Sequence, residues 1–379
     1  MKLSRVLESL QSLADERLAE AWDRVGLAVG DPAWPVRRAM LCIDLTPGVM
    51  AEAMAAKASL IVAYHPPIFE PLQALTTADW KQRIIMEAVR RRIALYSPHT
   101  ALDSAVGGVN DWLCDAVLPG WFPTGASNGG SVRPIRSVAG IAQPFKLVTY
   151  VPAEQLERVR QAIWQAGGGH IGAYDQCSFS VEGQGTFRGG EGTNPTIGKP
   201  GRLETVTERR LETVVPAAKL AAAVRAMVAA HPYEEPAFDV FRLEPPVGVD
   251  GRVGQGRIIA LDKPLALTTL TARLKKHLGV KSLEVAAGGK TELLSRLGLC
   301  AGAGGSLLAD AGDVQAFITG EMRHHEVLAA VQRGQTVILA GHTQTERPYL
   351  PVYAARLRQL VRDVTWQVSK ADVPPGVVR

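Results

Sequence analysis

Five of the chain's eight histidines follow short apolar runs of strand length, and carboxylates stand close to most of them. Ala39–Ile43 leads into Asp44, Leu60–Ala63 into Tyr64-His65-Pro66-Pro67, and Ile93–Tyr96 into Ser97-Pro98-His99-Thr100-Ala101-Leu102-Asp103. Ala316–Thr319 is followed by Gly320-Glu321 and then His324-His325, and Val337–Ala340 by Gly341-His342 with Glu346 four residues on. Neutral imidazole and ionised carboxylate are matched ligands for zinc, manganese or iron, so these residue types gathered in one place would hold a divalent transition metal. In an open α/β sheet the carboxyl ends of the strands share one rim, where ligands bind. The strand ends are therefore expected to deliver their side chains to a common edge.

Each residue also has a plainer use. His65 beside two prolines suits a turn, Asp103 suits the cap of a helix around Gly108–Val117, and His342 and Glu346 suit a polar loop before Pro348. His324 and His325 fall on a helical pattern and point about 100° apart, so at most one of them enters a site.

The surrounding pattern must build the rim. Leu3, Val6, Leu7, Leu10 and Leu13 share one helical face, which predicts an amphipathic helix within Met1 to Asp23. Helical segments at Val49–Lys57 and Lys81–Arg92 alternate with the first three strands, as in a parallel or mixed sheet. This first lobe spans residues 1–125, and Pro119-Gly120-Trp121-Phe122-Pro123 with a Ser/Gly stretch to Ser131 reads as a linker. Residues 145–245 follow a different order: strand Leu147–Val151, helix Ala153–Ala166, strands Gln176–Glu182 and Leu203–Val215, helix Pro216–Ala230, strand Ala237–Leu243. That β-α-β-β-α-β order is ferredoxin-like. After Pro245-Pro246, residues 250–379 return to α/β style with helix Leu267–Leu278, strand Arg296–Cys300, a glycine loop, helix Ser306–Ala311 and helix Glu321–Arg333. The predicted fold class is α/β: a two-lobed, discontinuous core interrupted by an inserted α+β domain.

At 379 residues the chain exceeds a single typical domain of ~100–200 residues. No run approaches the ~18 apolar residues of a membrane span and the N-terminus lacks a signal-peptide core, which predicts a soluble, cytoplasmic protein with no membrane contact. The four scattered cysteines form no Cys-x-x-Cys pair, so neither a disulfide framework nor a thiolate zinc site is expected. Net charge is +5, but the basic residues are dispersed and the densest run, Arg90-Arg91-Arg92, ends a helical pattern. This argues against a nucleic-acid partner and leaves a small anionic substrate compatible. Gly302-Ala303-Gly304-Gly305-Ser306, between a strand and a helix, reads equally as an anion cradle or a tight turn. Gly183–Gly192 reads as a hairpin tip, and His231-Pro232-Tyr233-Glu234-Glu235-Pro236 as a structural turn.

Several motifs together resemble the Nif-three-like dinuclear metal centre family, whose members are called type 2 homologues of GTP cyclohydrolase I. They are Trp22-Asp23-Arg24-Val25-Gly26-Leu27, Ile61–Phe69, Ser97–Asp103 with Gly107-Gly108-Val109-Asn110-Asp111, Thr319-Gly320-Glu321 with His324-His325, and Gly341-His342 with Thr345-Glu346-Arg347. The segment with Gly185-Thr186-Phe187-Arg188, Asn194-Pro195 and the His231–Pro236 turn looks like the PII-like or CutA-like insert of many bacterial members. The resemblance implies a toroidal homohexamer with one or two metal ions per subunit facing an internal cavity. It places ligands at Tyr64, His65, Asp103, His342 and Glu346. Tyr64 departs from the family's His-His pair, and His99 or His325 is then the candidate substitute. The function so implied is a metal-dependent hydrolase, cyclohydrolase-like or directed at phosphate esters or nucleotides, with Glu321, His324 or His325 as proton-transfer groups. The alternative is a non-catalytic metal-binding regulatory or adaptor ring.

Overall fold

The computed structural model describes the chain except for residues 124, 126–128, 138–144, 172–173, 217–218, 244–250, 290–292 and 377–379. It divides into two compact units: Met1–Val138 with Asp250–Arg379, and Ala139–Val249. Among the described residues no helix is long and apolar enough to cross a membrane.

The first unit begins with α1 (Leu3–Leu13), which buries Leu3, Val6 and Leu10. The amphipathic helix stops there, short of Asp23. Ala14 is extended, Asp15 caps a single 3-10 turn by accepting from the Arg17 amide, and the chain then enters β1 (Gly26–Val29). Next come β2 (Arg38–Cys42), α2 (Pro47–Ala55), β3 (Leu60–Ala63), α3 (Trp80–Arg91), β4 (Ala94–Ser97), α4 (His99–Ser104) and α5 (Val109–Val117). Local chemistry sets the helix ends. Thr46 caps α2 ahead of Pro47, and the Asp79 carboxylate accepts from the Lys81 and Gln82 amides to start α3. β2, β3 and β4 run parallel, and their continuous apolar character follows from burial on both faces. Leu41, Val62 and Tyr96 face the main core, whereas Met40, Ile61 and Leu95 face a second cluster under α2 and α3.

After β5 (Gly130–Arg133) and β6 (Arg136–Ser137) the chain enters the second unit. This contains β7 (Phe145–Val151), α6 (Leu156–Gln165), β8 (Phe179–Arg188), β9 (Leu203–Val215), α7 (Leu220–Ala230) and β10 (Phe238–Arg242). Its antiparallel sheet has the order β10-β7-β9-β8, and Leu147, Val151, Leu211 and Val215 pack against Val159, Ile163, Ala223 and Met227 of the two helices. The expected Pro245-Pro246 junction lies outside the described residues.

The chain then returns to the first unit through β11 (Gly254–Gln255), β12 (Arg257–Ala266), α8 (Leu267–Leu278), β13 (Glu284–Ala286), β14 (Leu293–Ala303), β15 (Ala316–Glu321), α9 (His324–Gln332), β16 (Thr336–Leu339), α10 (His342–Glu346), α11 (Leu350–Leu360) and β17 (Thr365–Val368). One sheet has the order β1-β4-β3-β2-β17 and another β13-β16-β15-β14-β12-β5. The two halves of the sequence thus exchange strands: the last strand completes the first sheet, and β5, from the stretch expected as linker, edges the other. The helix expected at Ser306–Ala311 is only a 3-10 turn, Gly305–Leu307.

Candidate metal centre

Two sets of parallel strands aim their carboxyl ends at one cavity of about 440 Å³. His65 follows β3, His99 and Asp103 belong to the short helix after β4, and His342 and Glu346 to the short helix after β16; all five line the cavity. The ring centroids of His65 lie 5.4 Å from those of both His99 and His342. Glu346, only 4% exposed, places Oε2 3.5 Å from His65 Nε2 and Oε1 3.3 Å from His342 Nε2. A ligand atom from each of His65, His342 and Glu346 falls within 4.8 Å of the others, the one such cluster among the described residues.

Each cavity histidine has its Nδ1 engaged by a carboxylate of its own. Asp44 lies 2.9 Å from His65 Nδ1, Asp23 2.7 Å from His99 Nδ1, and Glu321 3.0 Å from His342 Nδ1. Such partners fix ring orientation and leave Nε2 to act as donor or ligand, the arrangement found around metal-bound histidines. The electrostatics follow. Burial opposes an imidazolium at His65, but Asp44 and Glu346 overcome it and push the pKa up to about 10. Glu346 raises His342 to about 9 against the opposing effect of burial. Glu346 is itself held below the usual carboxylate range, because the two imidazoles outweigh its desolvation. Its Oε2 is buried and has no hydrogen-bond partner. A buried carboxylate oxygen without a hydrogen bond, between two carboxylate-anchored imidazoles, fits a divalent cation by donor type.

A sequence model of Duf34/NIF3 (NGG1p interacting factor 3) matches residues 1–375. The chain belongs to the Duf34/NIF3 family. It is similar to a GTP cyclohydrolase 1 type 2 homolog of Mycobacterium tuberculosis, 39% identical over 363 residues that cover 94% of this chain and 92% of that one. NIF3-like protein 1 of Rattus norvegicus is 34% identical, with 92% and 85% coverage. A solved structure of a Bacillus cereus protein related to NIF3 aligns with a TM-score of 0.63 and 31% identity, covering 100% of this chain and 99% of that one.

In this Duf34/NIF3 chain Tyr64 is not itself on the cavity wall. It is buried, burial raises its phenol well above the ordinary value, and its hydroxyl donates to Asp103. Burial lifts the Asp103 carboxyl to about 6, an effect that His99 and the Tyr64 hydroxyl only partly oppose. The Gly107–Asp111 motif is architectural. Asn110 donates to the Asp103 carbonyl at 3.0 Å and accepts from the Ala301 amide at 2.9 Å, tying the Asp103 segment to β14. Asp111 is held 2.5 Å from Nε of the fully buried Arg257.

Gly302 has φ +62°, and a Cβ there would lie 2.6 Å from Glu346 Oε1 and 3.3 Å from His342 Nε2. The close approach of β14 to the cluster therefore requires glycine. In the Gly302–Ser306 loop the Gly302 and Gly304 amides donate to the Thr345 and Thr319 hydroxyls, so those two are taken up by the turn.

The family motif's remaining polar residues lie elsewhere. Glu321, the last residue of β15, reaches the site only through His342 Nδ1. His324 and His325 open α9, are exposed, pack edge-to-face on each other, and do not line the cavity. Sequence reasoning placed Asp44 on the rim without a role, gave none to Asp23, and read Gly302 only as part of a cradle or turn. The available signal was position: Asp44 directly follows a strand, and Asp23 lies within the Trp22–Leu27 motif.

Proposed function

We propose that His65 Nε2, His342 Nε2 and a Glu346 oxygen hold a divalent transition metal ion, zinc, manganese or iron, and that the protein is a metal-dependent hydrolase of a small anionic substrate. The observation that carries this reading is the buried Glu346 carboxylate, one oxygen without a hydrogen bond, clustered with two histidines whose Nδ1 atoms are already taken. Such an ion, held with an open position, lowers the pKa of a bound water towards ~7 and polarises the group under attack. The chain's own contribution is orientation: Asp44 and Glu321 fix the two rings, and Gly302 lets the strand close against them. Asp103, one oxygen of which accepts from the Tyr64 hydroxyl, and His99 supply a second, weaker position outside the three-residue cluster. The family resemblance further supports a toroidal homohexamer with a PII-like or CutA-like insert.

Tyr64, standing where the family pattern has the first histidine of a pair, favours a second reading as a non-catalytic metal-binding ring. One experiment separates the two. Protein loaded in turn with zinc, manganese and iron(II) is screened against phosphomonoesters, phosphodiesters and nucleotides, beside His342→Ala. Turnover that needs the metal and disappears in the variant supports the hydrolase. Full metal loading without turnover supports the ring, and equal turnover in both proteins rejects the site.

A further inference from the structure

The second unit has a cavity of about 720 Å³, larger than the candidate metal cavity, on the face of its sheet that α6 and α7 leave uncovered. Its floor is the β8/β9 pair. Val181 pairs with Arg210, Gly183 with Glu208 and Gly185 with Val206, so these residues share the uncovered face, while Leu211 and Val215 face the helices. Gly183 leaves the strand bare, whereas at Gly185 the Glu208 carboxylate takes up the space of a side chain. A Cβ on Gly183 would meet no atom within 4 Å, and one on Gly185 would lie 2.3 Å from Glu208 Oε2. Glycine within a strand marks a place where something approaches the backbone closely.

The walls are aromatic and fixed. Phe187 and Tyr233 have ring centroids 6.3 Å apart, and Tyr150 carries the Arg210 guanidinium 6.0 Å above its ring. The Tyr233 hydroxyl donates to Glu208 Oε1 at 2.8 Å. The loop after β8 is pinned to the 231–236 turn: the Asn194 amide donates to Glu234 at 3.1 Å and the Thr196 hydroxyl to the Pro232 carbonyl at 2.8 Å. The turn residue His231 is spent on structure, its Nε2 3.0 Å from the Tyr150 carbonyl oxygen.

We infer that this cavity is a ligand site for an uncharged planar nitrogen heterocycle of the nucleoside class, seated on the glycine floor against the Phe187 and Tyr233 rings. A floor left open at Gly183, with aromatic walls and the Glu208 carboxylate beside it over Gly185, suits a flat ring, and base–aromatic stacking is favourable for every base. Glu208, accepting from Tyr233 through one oxygen, offers the other to a ring amino group. Charge sets the class. Glu208, Glu234 and Glu235 outnumber Arg188 and Arg210, Arg210 is already paired with Glu212 at 2.7 Å and Glu182 with Arg209 at 2.9 Å, so a triphosphate tail is disfavoured. The inference is independent of the metal reading, since every residue named here belongs to the other unit.

The test is calorimetric titration of the full-length protein with adenosine, guanosine, cytidine and, for comparison, ATP. At least one nucleoside is expected to bind, and ATP more weakly than adenosine. Gly183→Val should weaken nucleoside binding roughly tenfold or more by filling the floor. That side chain enters open space in a strand, where a β-branched residue is favoured, and metal content should not change. His342→Ala should leave nucleoside binding intact. Absence of binding by all three nucleosides at millimolar concentration overturns the inference. So does tighter binding of ATP than of adenosine, survival of binding in Gly183→Val, or loss of binding in His342→Ala, which would assign the ligand to the metal cavity.

Discussion

Asp44 Oδ1 lies 2.9 Å from His65 Nδ1, joining the ends of two neighbouring parallel strands at the rim of the candidate metal cavity. The contact decides which imidazole nitrogen remains for a ligand. It recurs at His99 with Asp23 and at His342 with Glu321, from strands of both sheets. Three repetitions of one pairing in one cavity are the strongest sign that its histidines are organised for a common partner.

Asp44→Asn is expected to weaken divalent metal binding by about 10–100-fold while leaving every candidate ligand in place. Competition with a chromogenic chelator measures the loss. Unchanged affinity would mean that Asp44 does not orient the ring.

His342→Ala should remove most of the bound metal and Asp103→Ala only that at the second, weaker position, neither abolishing cooperative unfolding, because side chains at the rim contribute little to the core. Elemental analysis and thermal melts check the two halves of this statement. Asp103→Ala should have the smaller effect, since Asp103 stands outside the His65, His342 and Glu346 cluster.

The metal-free protein should lose stability as pH rises from about 6.5 to about 10. His65 and His342 have pKa values raised to about 10 and about 9 from the ordinary 6.5. The stabilisation that accompanies these raised values is complete below 6.5 and lost as pH rises through the folded-state values. Glu346 acts oppositely: its lowered pKa gives stability present above the ordinary 4.5 and lost in acid. Metal binding must displace the imidazole protons, so affinity should increase over the same alkaline range. Denaturant melts of the apoprotein at several pH values test the slope, and His65→Asn should flatten it.

Gly302→Ala should cost roughly 1–3 kcal/mol from the left-handed backbone and also reduce metal binding, since its Cβ would press on Glu346 Oε1. Gly312→Ala, also at positive φ but with open space around it, is the control: it carries the strain without the loss of metal.

The strands that build the rim were legible because they are buried on both faces. Leu60–Ala63 reads as an unbroken apolar run and forms β3 with those limits, and the helix over Leu267–Leu278 was equally plain from its period. β12 was not visible: it carries Lys263-Pro264 where its register with β14 shifts, and it begins with the buried charge of Arg257, so no alternation survives. β17 pairs with β2 from the far end of the chain, a long-range partnership that local pattern does not encode. Among site residues, the strand-end rule found His65, His99, Asp103, His342 and Glu346, which do share the cavity. It did not separate them from His324 and His325, because α9 starts three residues beyond the end of β15 and carries that pair into solvent.

The central claim is that His65 and His342 together grip one metal ion. X-ray absorption spectroscopy of the zinc-loaded protein addresses it directly. The account predicts nitrogen and oxygen neighbours at about 2.0–2.2 Å with outer-shell scattering from two imidazoles, reduced to one ring in the zinc that His342→Ala retains. A first shell without imidazole, or a spectrum unchanged by that substitution, would contradict it.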